Sequence, residues 1–575
     1  MERVLFAPRT LPPLRPNVGE DPVAYDTWVR RTEAARLATW LPPPNQRALH
    51  VVMVIEDRPP TETIDSLRSL TAQTSSHWAL TVALRERWEP DLSALLHLSG
   101  IRQHFALERR DQASTFEEML GAGLAAARDS DVALMFPGDV WAPDTVSQLS
   151  EALTDNGVAY ADEDCLDDHG THAVPCLKPA FSPEFLLHAD CIGRPLAMSA
   201  GVVGRLPTSS AGVREARDHD LALRACEVAD SVRHVPEVLC HRRVRGAPLP
   251  TQTPGSADHV TMALARRHEL AAVTPGRAAG TFSIRREPSS NTTASIIIPF
   301  RDEPRFLRAC IDSIDRTKGA VVHEFLLVDN GSVQPETMTL LDRLSDRPDV
   351  RVVSDPRPFN WAALNNGAAA MASGDVLVFL NNDIEALSHG WLDALCGQAE
   401  RPDVGAVGAR LLYPDHRLQH CGVVLGLGGA AGHLFVGLAE DKPGYLGMAV
   451  TTRECSAVTG ACLTTRREVF DSHGQFDESL GVDLNDIDYC LRMHRSGLRT
   501  LYEPAAELVH HESPSRGTAG DVSDIVRFVE RWKASIIAGD PYLNPHLTRI
   551  DSSCALRGPG EEEWWQRWHD SLTDV

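Results

Sequence analysis

Short runs of uninterrupted apolar residues punctuate this chain. They alternate with stretches in which apolar positions recur every three or four places. The runs include VVMVI (51–55), SIIIPF (295–300), EFLLVD (324–329), VRVVSD (350–355) and DVLVFL (375–380). Between the last two lies FNWAALNNGAAAMAS (359–373), whose spacing is helical. Short β-branched runs interleaved with helices predict an α/β fold with a mostly parallel sheet covered on both faces, since a strand buried on both sides has no polar face to show.

The pattern occurs twice. VVMVIEDRPPTETIDSLRSLTAQT (51–74) and SIIIPFRDEPRFLRACIDSIDRTK (295–318) align at an offset of 244, which places Val54 on Ile298, Leu67 on Ile311 and Ser69 on Ser313. The same offset of 244 places DVALMFPGDVWA (131–142) on DVLVFLNNDIEA (375–386). DHDLALR (218–224) matches DIDYCLR (486–492) at 268, as one additional loop in the second copy would produce. The expected organisation is an N-terminal extension (1–45), a first copy (46–245), a linker containing one helix (246–289), a second copy (290–517) and a helical tail (518–575). The tail opens with an amphipathic helix over 522–537, and its Trp565 and Trp568 are expected to dock on the core.

Composition narrows the function. The 575 residues carry 56 Lys+Arg against 79 Asp+Glu, a net charge of −23, which disfavours a nucleic-acid partner. The 12 cysteines include no C-x-x-C pair, so free thiols in a reducing cytosol are expected. With no spanning segment and no signal-peptide core, the chain reads as cytoplasmic, with at most peripheral membrane contact. No G-x-G-x-x-G follows the first strand of either copy, as a dinucleotide-binding enzyme would require.

Ligands of a parallel sheet gather at the carboxyl ends of its strands. Asp302, Asp329 and Asp383 stand there in the second copy. Any one of them could be a turn or a cap, but three at one edge point to a site. Asn381, Asn382 and Asp383 put two amides and a carboxylate on one turn, an oxygen set suited to Mg²⁺ or Mn²⁺ beside substrate phosphates. His510 or His511 could complete that set, with Arg516 as the cation that replaces a metal if none binds. In VDLNDIDYCLRMHRSG (482–497), Asn485 is placed to cap a helix, Asp486 and Asp488 fill its first turn, and Gly497 closes it. One of the two carboxylates is a candidate general base.

These elements together resemble the family 2 glycosyltransferases, nucleotide-sugar enzymes of the GT-A fold. The resemblance rests on SIIIPFRDEP (295–304), FLLVDNGS (325–332), FNWAALNNGAA (359–369), FLNNDIE (379–385), LQHCGVVLGLGGAAGH (418–433), CSAVTGACL (455–463), GQFDESLGVDLNDIDYCLR (474–492) and HHESPSRG (510–517). YADEDCLDDHG (160–170) and LKPAFSPEFLLHADCIG (177–193) extend it to the first copy, as in bacterial tandem-domain enzymes of O-antigen and rhamnan synthesis.

The resemblance implies two tandem GT-A domains and a nucleotide-sugar pocket lined by Pro299, Phe300, Arg301, Asp302, Asp329, Asn365, Asn381 and Asn382. It implies a divalent metal, Mg²⁺ or Mn²⁺, on Asp383 and His510, and Asp486 as catalytic base. Gly460, Ala461 and Asp488 would lie on the acceptor side. Asn381 stands where the family's metal motif begins with Asp. The implied reaction inverts the anomeric centre. It carries a sugar, for which the subgroup suggests rhamnose, from a nucleoside-diphosphate donor to a surface glycan, a lipid-linked glycan or a protein. A non-catalytic carbohydrate-binding scaffold is the alternative.

In the first copy the metal turn reads Pro137-Gly138-Asp139, and WALTVALRERW (78–88) ends without an Asp. Asp218, Asp220 and His241 persist. The first copy is therefore expected to be a degenerate transferase domain.

Overall fold

The computed structural model describes residues 14–40, 46–56, 62–101, 105–127, 129–207, 217–243, 256–512, 522–562, 566–567 and 570. Trp565, Trp568 and Arg516 lie outside the described residues. The chain divides into two compact units, the first Pro16–Glu269 with Ala279–Thr281, the second mainly Leu270–Ala278 with Phe282–Val575.

Each unit is built on one large mixed sheet. In the second unit the strands run Val350–Ser354, Val322–Asp329, Thr293–Phe300, Val376–Leu380, Cys462–Arg466, Val404–Leu412, Arg499–His510 and Ile384–Ala386. The first four are parallel, and Cys462–Arg466 enters antiparallel between Val376–Leu380 and Val404–Leu412. The first unit repeats this order element by element: Phe105–Arg110, Trp78–Arg85, Leu49–Ile55, Asp131–Met135, Leu196–Met198, Gly157–Leu166, Ser231–Arg243 and Asp139–Trp141. The β-branched runs explain the arrangement, because Ile296, Ile297, Ile298, Val378 and Phe379 are all fully buried between helical layers.

The repeat extends to register. In the second unit Ile384 pairs with His510; in the first, Val140 pairs with His241. The two histidines are therefore topological equivalents. At the inserted antiparallel strand, Val376 pairs with Arg466 and Val132 with Met198, which puts Arg194 where the second unit has Cys462.

The segments outside the sheets are ordered by packing. Helix Pro22–Thr39 starts at Asp21, whose side chain accepts the Ala24 N–H, and carries Pro at its first position. It docks on the first unit through Tyr25 and Val29, both buried, and through Arg36, which is paired with Asp144 and Glu237. The helix expected in the linker, Ala257–Arg266, packs on the first unit through Val260, Ala263 and Leu264. The tail helix, Val522–Ala538, lies on the second unit and buries Phe528, Trp532 and Ile536. Among the described residues no helix is long and apolar enough to cross a membrane.

Candidate active site

The strand Thr293–Phe300 ends in a turn in which Asp302 and Glu303 both adopt left-handed backbone, at φ 54° and 53°. For residues with a side chain this conformation costs about 1–2 kcal/mol each. Hydrogen bonds over-determine it: the Asp302 N–H donates to Ser332 Oγ, and its Oδ1 accepts from Val333 and Gln334 N–H at 2.9 and 2.8 Å. Asp329 Oδ1 accepts the Ser332 N–H at 2.8 Å. Asp302 and Asp329 therefore frame one edge, with Arg301 exposed beside them. Pro299 and Phe300 are buried in the sheet, so this edge is formed by the turn that follows them and not by their side chains.

Asn365 corrects the expected nucleotide set. It is fully buried, and its amide donates to Trp361 O one turn earlier in helix Trp361–Ala369. Its Oδ1 is equally buried and makes no hydrogen bond, so the residue leaves no surface exposed to a ligand.

The metal turn follows strand Val376–Leu380. Asp383 is buried, and His510 Nε2 lies 3.3 Å from its Oδ1, because Ile384 and His510 are paired across strands. Asn381 Nδ2 is 3.3 Å from the same His510 nitrogen, and Asn382 is half-buried on the same turn. A carboxylate oxygen and an imidazole nitrogen facing each other at this separation fit a divalent cation, while the Asn381 amide nitrogen is a donor toward the ring. Of the two histidines in the sequence, His511 turns away and pairs with Glu385 at 2.8 Å.

Helix Asn485–Arg495 does not begin as the sequence suggests. Leu484, at φ 63°, stands at its N-cap without a side-chain hydrogen bond, while the Asn485 amide donates back to Leu480 O. Within the first turn Asp486 Oδ1 takes the Ile487 N–H, while Asp524 of the tail helix takes the Val482 and Asp483 N–H groups of the loop before it. Gly497 has the positive φ of a helix-ending glycine.

Asp486 and Asp488 have opposite fates. Asp486 Oδ2 accepts the Gly460 N–H at 2.6 Å, and Oδ1 the Ile487 N–H at 2.8 Å. Burial holds its carboxyl above the usual carboxylate range, opposed by the Gly460 and Ile487 N–H groups, which favour the ionised form. Asp488 is fully buried and saturated: Arg492 donates to Oδ2, while Arg531 and Trp532 Nε1 donate to Oδ1. This corrects its expected place on the acceptor side, because no oxygen remains accessible. It latches the helix to the tail.

Gly460 and Ala461 are likewise buried and present no side chain to an acceptor. Their backbone does something else. The Gly460 N–H binds Asp486, and Ala461 O accepts the Asn381 N–H at 3.1 Å, so two adjacent residues tie the metal turn to the carboxylate. A Cβ on Gly460 would sit 2.8 Å from Trp361 Cη2 and 3.5 Å from Asp486 Cβ. Only glycine fits. Trp361, Gln419 and His433 escaped the sequence reading, although all three lie inside quoted blocks; no spacing rule distinguishes them from core residues.

In the first unit the matching place is filled by protein. Arg194 donates through Nη1 to Asp139 at 2.9 Å and through Nε to Asp218 at 2.7 Å. These carboxylates are the counterparts of Asp383 and Asp486. Asp220 and Arg224 repeat the Asp488–Arg492 pair, at 2.8 and 2.9 Å. Nearby, Asp164, His172 and His241 form a buried set that could hold a metal ion. Both imidazoles are hydrogen-bonded to the Asp164 carboxylate at 2.8 and 2.7 Å, and the Tyr25 hydroxyl donates to it at 3.0 Å.

Residues 295–474 match the model of glycosyl transferase family 2. The chain is 34% identical over 585 residues to the O-antigen biosynthesis protein RfbC of Myxococcus xanthus, an alignment covering 97% of this chain and 45% of that protein. It is 33% identical to the uncharacterized protein y4gI of Sinorhizobium fredii, covering 90% of this chain and 59% of that one. An N-acetylglucosaminyl-diphospho-decaprenol L-rhamnosyltransferase of Mycobacterium tuberculosis is 26% identical over 33% of this chain and 67% of its own. The chain spans about half the length of the first two relatives. The sheet order, the paired strand-end carboxylates and the sequence match agree: the second unit is a family 2 glycosyltransferase domain of GT-A fold.

Proposed function

We propose that this protein is an inverting, metal-assisted glycosyltransferase whose working site lies in the second unit. The observation that carries this reading is the backbone link through Gly460 and Ala461. It fixes Asp486 and the Asn381–Asp383 turn in one constellation. A metal ligand pair and a base carboxylate held together this way match what displacement at a sugar nucleotide needs.

Asp329 and the Asp302 turn would receive the nucleoside, with Arg301 free to meet the diphosphate. Asp383 and His510 would hold Mg²⁺ or Mn²⁺, which supplies charge neutralisation for the departing diphosphate. Asp486 accepts the proton of the incoming hydroxyl. Its raised proton affinity, a consequence of burial, suits that task better than that of an exposed carboxylate. A single base carboxylate supports one displacement, hence inversion.

The donor is a nucleoside-diphosphate sugar, with a deoxyhexose such as rhamnose the choice favoured by the relatives' names. The acceptor is a hydroxyl of a bacterial surface glycan, free, lipid-linked or on protein, met in the cytoplasm or at the inner face of its membrane. In the first unit Arg194 supplies a fixed cation between the two carboxylates, so that unit serves structure or acceptor binding and not transfer.

A thermal-shift screen of UDP-, GDP- and dTDP-sugars, with and without Mg²⁺ or Mn²⁺, tests the reading, because selective binding raises the melting temperature by mass action. The true donor stabilises the protein only with metal, and release of its nucleoside diphosphate follows on adding acceptor. No stabilisation by any donor, or release of pyrophosphate instead, overturns it.

A further inference from the structure

The carboxylate–histidine pair of the second unit depends on which ring nitrogen of His510 carries the proton. Its Nε2 faces Asp383 Oδ1 at 3.3 Å, and its Nδ1 lies 2.8 Å from Gln419 Oε1. The Gln419 amide could in principle present nitrogen or oxygen to the ring. Its other end settles the choice: Gln419 Nε2 donates to Glu512 Oε1 at 3.1 Å, and a carboxylate only accepts. The oxygen must then face the ring, so Nδ1 is the donor, and in the neutral ring Nε2 carries the lone pair, with the Asn381 amide nitrogen, a donor, 3.3 Å from it. Gln419 is buried, 3% exposed, and sits on the short strand Leu418–His420, which pairs with Val404–Leu412 beside the strand bearing His510. Its main-chain carbonyl also accepts from His433 Nδ1 at 3.0 Å, which leaves the Nε2 of that ring bare as well.

We infer that Gln419 is a positioning residue, which, oriented by Glu512, holds His510 as the Nδ1–H tautomer so that Nε2 is ready to ligate a divalent cation together with Asp383. The inference rests on the metal-assisted reading but is separable from it, because the tautomer exists in the metal-free protein. The chemistry is that of a hydrogen-bond partner fixing a metal-ligating imidazole from behind, whose loss typically weakens metal affinity about 10–100-fold. Here the partner is a neutral amide, whose orientation must itself be fixed by a second group.

Two measurements on the full-length protein test it. The first is ¹⁵N NMR of histidine-labelled, metal-free protein, with the His510 resonance assigned by its absence in His510→Gln. Wild type is expected to show Nδ1 protonated and Nε2 bare; an Nε2–H form overturns the inference. The second is Mn²⁺ titration of Gln419→Leu and Gln419→Glu. Leucine fills the space but accepts nothing, so the dissociation constant for Mn²⁺ should rise about 10–100-fold. Gln419→Glu alone would set two carboxylates against each other, so it is combined with Glu512→Gln, whose amide restores the donor; that double variant still accepts the Nδ1–H and should stay within a few-fold of wild type. Wild-type affinity in folded Gln419→Leu overturns the inference; if that variant does not fold, the NMR result decides alone. Failure of wild type to bind Mn²⁺ at all would sink the metal reading instead, while the tautomer result would still stand or fall by itself.

Discussion

Arg194 binds Asp218 through its Nε at 2.7 Å, and the matching carboxylate of the second unit, Asp486, is bound instead by the Gly460 N–H at 2.6 Å. The same guanidinium also holds Asp139. One unit has thus filled the space between its two carboxylates with a permanent cation, whereas in the second unit a backbone N–H takes one carboxylate and His510 faces the other. Arg194 stands at the register position of Cys462, so the cation enters where the second unit has a thiol.

Asp486→Asn should lower turnover about 10²–10⁴-fold while leaving donor binding nearly unchanged. The base must be ionised, and burial raises its proton affinity, so wild-type kcat/KM should fall on the acid side at a pH above the ordinary carboxylate range. Because ionised Asp486 is disfavoured in the folded state relative to the unfolded, its contribution to stability declines as pH rises through the unfolded value. The Asn variant escapes that penalty but can accept only one of the two N–H groups, so the gain and the loss offset and its melting temperature at neutral pH should stay close to that of wild type. Turnover profiles and melting curves check both parts; near-normal turnover removes Asp486 from the mechanism.

Asp383→Ala should abolish metal-dependent donor binding, and His510→Ala should weaken it, as measured by calorimetry with Mg²⁺ or Mn²⁺. Full activity in excess chelator would show that cationic side chains do the work, with Arg301 the exposed cation at the strand ends.

Gly460→Ala puts a methyl group 2.8 Å from Trp361, which is buried and has no room to retreat. The backbone must shift, and with it the N–H that holds Asp486. Turnover should drop at least about tenfold, since a misplacement near 1 Å is worth up to 10²-fold. Donor affinity should change far less, which separates the effect from unfolding in a single titration.

Asp488→Ala removes the acceptor of Arg492, Arg531 and the buried Trp532 Nε1. The two arginines are partly exposed and can regain water, so the main loss is the buried indole bond and the charge-assisted pairs. A destabilisation of about 2 kcal/mol or more is expected in urea unfolding, with the tail helix loosened first in hydrogen exchange.

The four parallel strands at one side of the mixed sheet and the repeat were legible because buried strands must be apolar throughout, as in SIIIPF and DVLVFL, and because the offset of 244 recurs. Asp486 and Asp488 looked interchangeable in sequence, yet two helical positions lie about 200° apart, so one reaches the cleft and the other the core. Asn365 lies on a helix buried along nearly its whole length, so the burial of this amide has no signal in helical spacing. Asn485 does not cap its helix because it is the first helical residue and its amide donates back to Leu480 O, while Asp524, about forty residues on, fixes the loop before it. Arg194 lies 55 residues from Asp139, and only the antiparallel strand that follows it brings the two together. Such long-range pairings have no local signal.

The central claim is that the second unit alone transfers sugar. Asp139→Ala and Asp218→Ala should leave turnover within a few-fold of wild type, since a base without leaving-group stabilisation meets only part of the barrier. The most direct measurement is nucleoside-diphosphate release and glycan product formation by the double variant Asp383→Ala, Asp486→Ala, with folding verified by its melting temperature. The account predicts no transfer above background. Clear residual transfer by that protein would show a second working site in the first unit and contradict it.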